Sequence, residues 1–169
     1  MELMEAILTR RSIRHFKPDP IPEDLVNKLL QAAMQAPSAA NAQPWHFIVI
    51  DDRFLLEQVT TFHPAAGCLR LAPMAILVCG DNQLEKRPDR YILDCSAATQ
   101  NMLLAAHAQG LGAVWLGIHP EHLRIEKISR MLHLPAHVHP LALVAVGYPE
   151  RTLEPADRFK PERVHHNRW

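Results

Sequence analysis

A chain of 169 residues suits one domain better than two, and 48% hydrophobic with 21% charged residues suits a globular protein with a core to fill. Lys and Arg number 18 and Asp and Glu number 18, so a formal net charge of zero gives no general pull toward nucleic acid or anionic lipid. An aromatic share of 6% argues further against a nucleic-acid-binding module.

The chain opens with Glu2 and Glu5 and no apolar signal-peptide core, and its longest apolar runs, 71–79 and 141–146, are too short to span a bilayer. Leu3, Met4, Ile7 and Leu8 recur at helical spacing and predict a short first helix. The run Arg10-Arg11-Ser12-Ile13-Arg14 follows, then a proline-rich loop over 17–22. Pro22 suits the first turn of a second helix, with Glu23 and Asp24 at its positive end. Leu25, Val26, Leu29, Leu30 and Ala33 mark its buried stripe, and Pro37 should stop it. A polar, turn-rich loop over 37–44 leads into a buried strand at 45–50. A helix over 53–62, with Leu55, Leu56 and Val59 inward, precedes a second strand at 74–80.

The charged loop 81–90 is the best candidate for a lid. The longest helix is expected over 91–109, capped by Gly110 and rich in alanine (Ala97, Ala98, Ala105, Ala106, Ala108), as suits close packing or a subunit contact. A third strand at 112–118, a helix from Pro120 to near His133 and a fourth strand at 141–148 complete the pattern. The tail 149–169 is polar with aromatic punctuation, and its terminal Trp169 suggests that it docks onto something, such as a partner subunit. Alternation of strands and helices would by itself suggest parallel neighbours in an α/β sheet. Cys68, Cys79 and Cys95 form no CxxC pair. Cys79 and Cys95 read as small buried hydrophobes with free thiols, which points to a reducing, cytoplasmic location.

The usual phosphate cradles are missing. There are six glycines, no GxGxxG after a strand and no GxxxxGK[ST]. A phosphorylated cofactor would have to be held by side-chain cations. Arg10, Arg11 and Arg14 with Ser12 can do that, because a guanidinium fork matches phosphate oxygens and the hydroxyl adds a short donor. In an extended stretch Arg10, Ser12 and Arg14 share one side and Ile13 faces the core. Taken alone, such a cluster more usually reads as a solvated, charged helix end. The loop Pro37-Ser38-Ala39-Ala40-Asn41-Ala42-Gln43-Pro44, fixed by a proline at each end, offers hydroxyl and amide groups to a polyol or heterocycle edge, or is simply a connection. His133, His137 and His139 invite a zinc reading, but Pro135 interrupts any helix between the first two and no cysteine or carboxylate joins them, so no metal is expected. Trp45 and Trp115 adjoin apolar strands and read as core.

Taken together, the RRSIR run at 10–14, PSAANAQPW at 37–45, GLGAVWLG at 110–117 and the basic end KPERVH at 160–165 resemble the nitroreductase family over essentially the whole chain. The resemblance implies an α+β fold, an α/β sandwich whose central mixed sheet is flanked by helices, in an intertwined homodimer. It implies FMN as cofactor, NADH or NADPH as electron donor and a small organic acceptor such as a nitroaromatic or quinone. An oxygen-using enzyme of the same fold and a non-catalytic flavin-binding protein are the alternatives. It implies that Arg10 and Ser12 bind the FMN phosphate and that Arg14 lies near the flavin's pyrimidine edge. Pro37, Ser38 and Asn41 come from the partner subunit, backbone around Leu116 and Gly117 meets the ring, and Arg163 and Lys160 close on the phosphate. Arg11, Ala39, Gln43 and Trp115 complete the implied contact set. No side chain need act as acid or base in the hydride step.

Overall fold

The computed structural model describes residues 1–169. Five helices, α1 (Leu3–Thr9), α2 (Glu23–Met34), α3 (Arg53–Thr60), α4 (Tyr91–Ala108) and α5 (His122–Met131), surround four strands, β1 (Trp45–Ile50), β2 (Met74–Asp81), β3 (Gly112–Gly117) and β4 (Val138–Gly147). The strands form one sheet in the order β1-β2-β4-β3.

Every pairing in that sheet is antiparallel. The expected α+β architecture is present, but the expected mixed sheet is represented only by an isolated parallel bridge between Ser12 and Ala113. The reason lies in the connections. Between β1 and β2 the chain passes through α3 and then the 3-10 turn Gly67–Arg70, which doubles it back before the next strand begins. Between β2 and β3 it makes one crossover through α4, so these two strands do run parallel. They are not neighbours, because β4 lies between them and opposes both.

The sheet is covered on both faces. α2 and α4 bury Leu29, Ala33, Ala98, Met102 and Ala106 against Ile76, Val78, Val144 and Val146. On the other face α3 and α5 bury Leu56, Val59 and Ile128 against Leu77, Leu143 and Ala145. A central strand covered on both sides has no face left for water, which is why β2 is apolar over 74–79 without alternation and buried throughout. β1, expected to be buried, is an edge strand with only Trp45 and Ile50 buried, since it pairs with β2 alone. The small residues of α4 serve the same packing: Ala98 and Ala106 have no exposed surface, and the helix is wedged between α2 and the sheet. Gly110 ends it in a left-handed turn at φ 76°. Cys68, Cys79 and Cys95 are all buried free thiols, and burial pushes the Cys79 thiol up to about 12.

β4 starts three residues earlier than the sequence suggests, with Pro140 inside it. The register slips between Val78 and Cys79, and this bulge admits a residue without an N–H. α5 starts at His122, after Pro120, because Ile118 and His119 still donate to the Leu141 carbonyl. No helix is long and apolar enough to cross a membrane.

Candidate functional site

Residues 10–14 leave α1 in an extended conformation and lie along the first residues of β3. The Ile13 N–H donates to the Ala113 carbonyl at 3.0 Å, and Ser12 forms the bridge to Ala113. Ile13 packs inward, as alternation requires. It can do so because residue 112 is glycine: a Cβ there would stand 2.7 Å from Ile13 Cγ2. The flanking side chains are thereby turned to one surface. Arg11 is committed elsewhere, its guanidinium donating to the Glu154 carbonyl. Arg14 lies within electrostatic reach of Cys68, whose thiol is pushed up by burial and partly held down by that cation.

The tail follows the same segment. Pro149 bridges Phe16, the Glu150 N–H donates to the His15 carbonyl at 3.0 Å, and Arg151 and Leu153 join Ser12, Ile13, Arg14 and His15 around a cavity of about 170 Å³. Arg158 is brought close to Arg10. Burial, then Arg158, then Arg11 push the Arg10 guanidinium below its ordinary value. Three like charges gathered at a partly desolvated spot are unfavourable until an anion joins them. His107, in the last turn of α4, adds to the picture. Its Nε2 lies 2.8 Å from Thr9 Oγ1, and the Thr9 hydroxyl also donates to the Glu5 carbonyl at 2.7 Å. The ring is therefore the donor to Thr9, and burial and Arg10 both push its proton affinity down. Lys160 and Arg163 are the tail cations that the family resemblance implies. They stand farther on, at the 3-10 turn Pro161–Arg163, and the cation that the fold delivers to Arg10 is Arg158. Nothing in the tail's composition marks where the chain turns back, so Arg158 carried no signal.

At the far end of β3, Leu116 is buried and Trp115 and Gly117 are half-buried. The Gly117 carbonyl accepts from two side chains, His63 Nε2 at 2.9 Å and Arg124 Nη1 at 2.8 Å. His63 is 2% exposed, burial and then Arg124 lower its proton affinity, and its Nε2–H is the donor to the Gly117 carbonyl. Neither residue was singled out from the sequence.

The loop 37–44 is built differently. Ala40, Asn41 and Gln43 all have left-handed backbones, at φ 54°, 53° and 50°. Such conformations cost non-glycine residues on the order of 1 kcal/mol each and persist only when the surroundings impose them. Here the Gln43 N–H donates to Ser38 Oγ, Gln43 Nε2 donates to Asn41 Oδ1, and the Ala39 N–H donates to Asp94 Oδ1, each at 2.9 Å. Lys86 Nζ donates to the Ala40 carbonyl at 2.9 Å, and the Asp81 N–H donates to the Pro44 carbonyl. The charged segment 81–90, expected as a lid, is thus tied to this loop, and its first residue is the buried end of β2.

Within one chain the two chemical segments do not meet. The loop 37–44 precedes β1 and the arginine segment runs along the free edge of β3, four strand spacings across the sheet, or about 19 Å at ordinary spacing. The largest cavity, 660 Å³, is at neither. It lies beside α2, lined by Ile21, Val26 and Leu30 with Glu23 and Asp51, and those carboxylates make it a poor place for a phosphate.

The model of the nitroreductase family matches residues 7–148. A protein of Methanothermobacter thermautotrophicus, provisionally named NADH dehydrogenase/NAD(P)H nitroreductase, is 47% identical over 100% of this chain and 88% of its own length. The crystal structure of a Parabacteroides distasonis protein with the same provisional name superposes with a TM-score of 0.96 at 41% identity, covering 99% of this chain and 98% of that one. A provisionally named nitroreductase of Desulfovibrio desulfuricans, solved in complex with FMN, superposes with a TM-score of 0.85 at 30% identity, over 100% and 98% of the two chains.

Proposed function

The chain belongs to the nitroreductase family, and from that premise we propose an FMN-dependent oxidoreductase that takes electrons from NADH or NADPH and delivers them to a small organic acceptor, working as a homodimer. The observation that carries the reading is the crowding of Arg10 by Arg158 and Arg11, two residues before Ser12, with no glycine-rich cradle in the sequence. A phosphate dianion fits that donor set, and two guanidiniums there bind it as forked, charge-assisted donors.

Bound FMN supplies a carrier that takes two electrons from one substrate and gives them to the next. The chain's residues bind and orient it. Arg10, Ser12 and Arg158 hold the phosphate. Arg14, the free cation of the segment, balances negative charge at the pyrimidine edge. Gly117 lies four residues beyond Ala113, about 13 Å along the strand, and its backbone, fixed by His63 and Arg124, faces the ring. A cavity of 170 Å³ is small beside the roughly 300–1,000 Å³ of ordinary ligand sites, so one chain leaves the site unfinished. Pro37, Ser38, Ala39, Asn41 and Gln43 of a second copy complete it. The apolar side chains of α1, exposed at Leu3, Met4, Ile7 and Leu8, suit burial against that copy.

The test is spectroscopic. The purified protein is expected to show flavin absorbance and release one FMN per chain on denaturation. Loss of NAD(P)H absorbance with nitroaromatic and quinone acceptors then reads the activity. Colourless protein that takes up no added FMN overturns the reading, and a stable monomer by light scattering overturns the shared site.

A further inference from the structure

We propose that Asp94 is a positioning residue: its carboxylate holds the 37–44 loop in the shape that meets the flavin of a second chain. The inference rests on the flavin reading above for what the loop touches, but not for what holds the loop.

Asp94 sits in the first turn of α4 and is 5% exposed. Buried carboxylates are uncommon without a partner, and this one has a single recorded one. Oδ1 accepts the Ala39 N–H at 2.9 Å, while Oδ2 is buried with no donor. The packing of α4 does not call for an acid here. The neighbouring inward positions Cys95, Ala98 and Met102 are apolar and fully buried. An acid in the first turn also suits the positive end of the helix, but that effect requires neither burial nor a bond to Ala39. The carboxylate serves the loop.

Ala39 is the residue before the left-handed pair Ala40 and Asn41. Nothing about Ala40 favours that conformation, since it has neither the freedom of glycine nor a side chain that bonds locally. The backbone must be held from outside, and two groups do so. Asp94 fixes the Ala39 N–H on one side of the turn, and Lys86 fixes the Ala40 carbonyl on the other. With that turn set, Ser38 and Asn41 can each bond Gln43, and the side chains of 38, 41 and 43 form one connected edge. Asn41 and Gln43 are exposed, so the edge faces outward, ready for a surface that is not this chain. A flexible loop would have to be ordered when the flavin arrives, whereas this one is ordered beforehand.

The experiment uses the full-length protein with and without FMN. Amide hydrogen exchange in the FMN-free wild type should show the Ala39 N–H protected like the amides paired in β1. Rapid exchange there overturns the proposal without any variant. In D94A, exchange at residues 39–43 is expected to rise about ten-fold or more while the amides of β2 and β4 stay protected, and FMN should bind roughly 10- to 30-fold more weakly. Riboflavin should lose affinity by the same factor, because the loop does not touch the phosphate. D94N keeps an acceptor oxygen for Ala39 and should recover most of the protection and affinity. Increased exchange with unchanged flavin affinity overturns the positioning role. If D94A fails to fold, D94N decides: protection and affinity near wild type support the proposal, and loss of both with an intact core overturns it. If the wild type itself binds no flavin, the flavin reading fails, and the exchange data still report whether Asp94 holds the loop.

Discussion

The two chemical segments of this protein are finished to different degrees. The loop 37–44 has its polar groups paired within the chain and strains its backbone at three residues to do so. The segment 10–14 has a relaxed, strand-like backbone bonded to β3, but its cations are left facing one another. Strain can be stored in the first because several bonds over-determine its shape. On the proposed flavin reading, the charge left uncompensated in the second is the ligand's to compensate. One half is shaped in advance and the other is charged in advance, as an anionic, planar cofactor would require.

The comparison is tested most strongly at Arg10. A charge-assisted hydrogen bond contributes roughly 1.5–3 kcal/mol, so Arg10→Leu should weaken FMN binding about 10- to 150-fold by flavin fluorescence titration. Arg11→Leu should cost less, because Arg11 is already bonded to the Glu154 carbonyl. Equal losses would mean a diffuse basic patch and no defined phosphate site.

Gly112→Ala attacks the same half without altering charge. Its new Cβ would press on Ile13 at 2.7–3.0 Å and lift the arginine segment off the strand. Overpacking of this kind costs about 1–3 kcal/mol, and denaturant unfolding and FMN titration should both register it. Weakened unfolding with intact FMN affinity would separate the segment's seating from its function.

Acidity reaches the charged half through His107, and the far end of β3 through His63. Both have proton affinities pushed below the ordinary 6.5. Between the lowered folded value and 6.5 the unfolded chain binds more protons than the folded one. Stability is therefore complete above 6.5 and declines as pH falls through that window. The thermal midpoint of the FMN-free protein should drop accordingly. Saturating FMN should return part of the loss, since a phosphate beside Arg10 offsets the cation that opposes protonation of His107. An acid limb with no FMN dependence would remove His107 from the phosphate's neighbourhood.

The smallest effect is expected in the shaped half. Ala40→Gly relieves a left-handed alanine but frees the unfolded chain, so stability should rise by at most about 1 kcal/mol. A loss of that size would show that the strain at φ 54° is not what the surrounding bonds sustain.

Much of this was legible in the residues. β1 begins at Trp45 and ends at Ile50 as expected, and β2 and α4 differ from expectation by one residue at one end, because long apolar runs and a capping glycine are local signals. The sheet's directions were not legible. Alternation says that a helix follows a strand, and not whether a 3-10 turn will double the chain back, as Gly67–Arg70 does. The same limit governs the site. Arg10, Ser12 and the inward Ile13 follow from a period of two along one short segment. Arg158, His63 and Asp94 act on residues 148, 54 and 55 positions away, and no window of sequence joins them; Arg124 is seven residues from Gly117, but only the turn between β3 and α5 brings its guanidinium back to that carbonyl.

β4 is the last strand along the chain and yet stands between β2 and β3. During synthesis β2 and β3 emerge with no neighbour in common. Until 138–147 leave the ribosome, their apolar faces lie open and the ledge on which Ser12 and Ile13 rest is unsupported. The arginines are made before β4, and the ledge that seats them is completed only after it. Chains truncated before Val138 are expected to be the ones that chaperones hold, and chains that extend through Gly147 should be released.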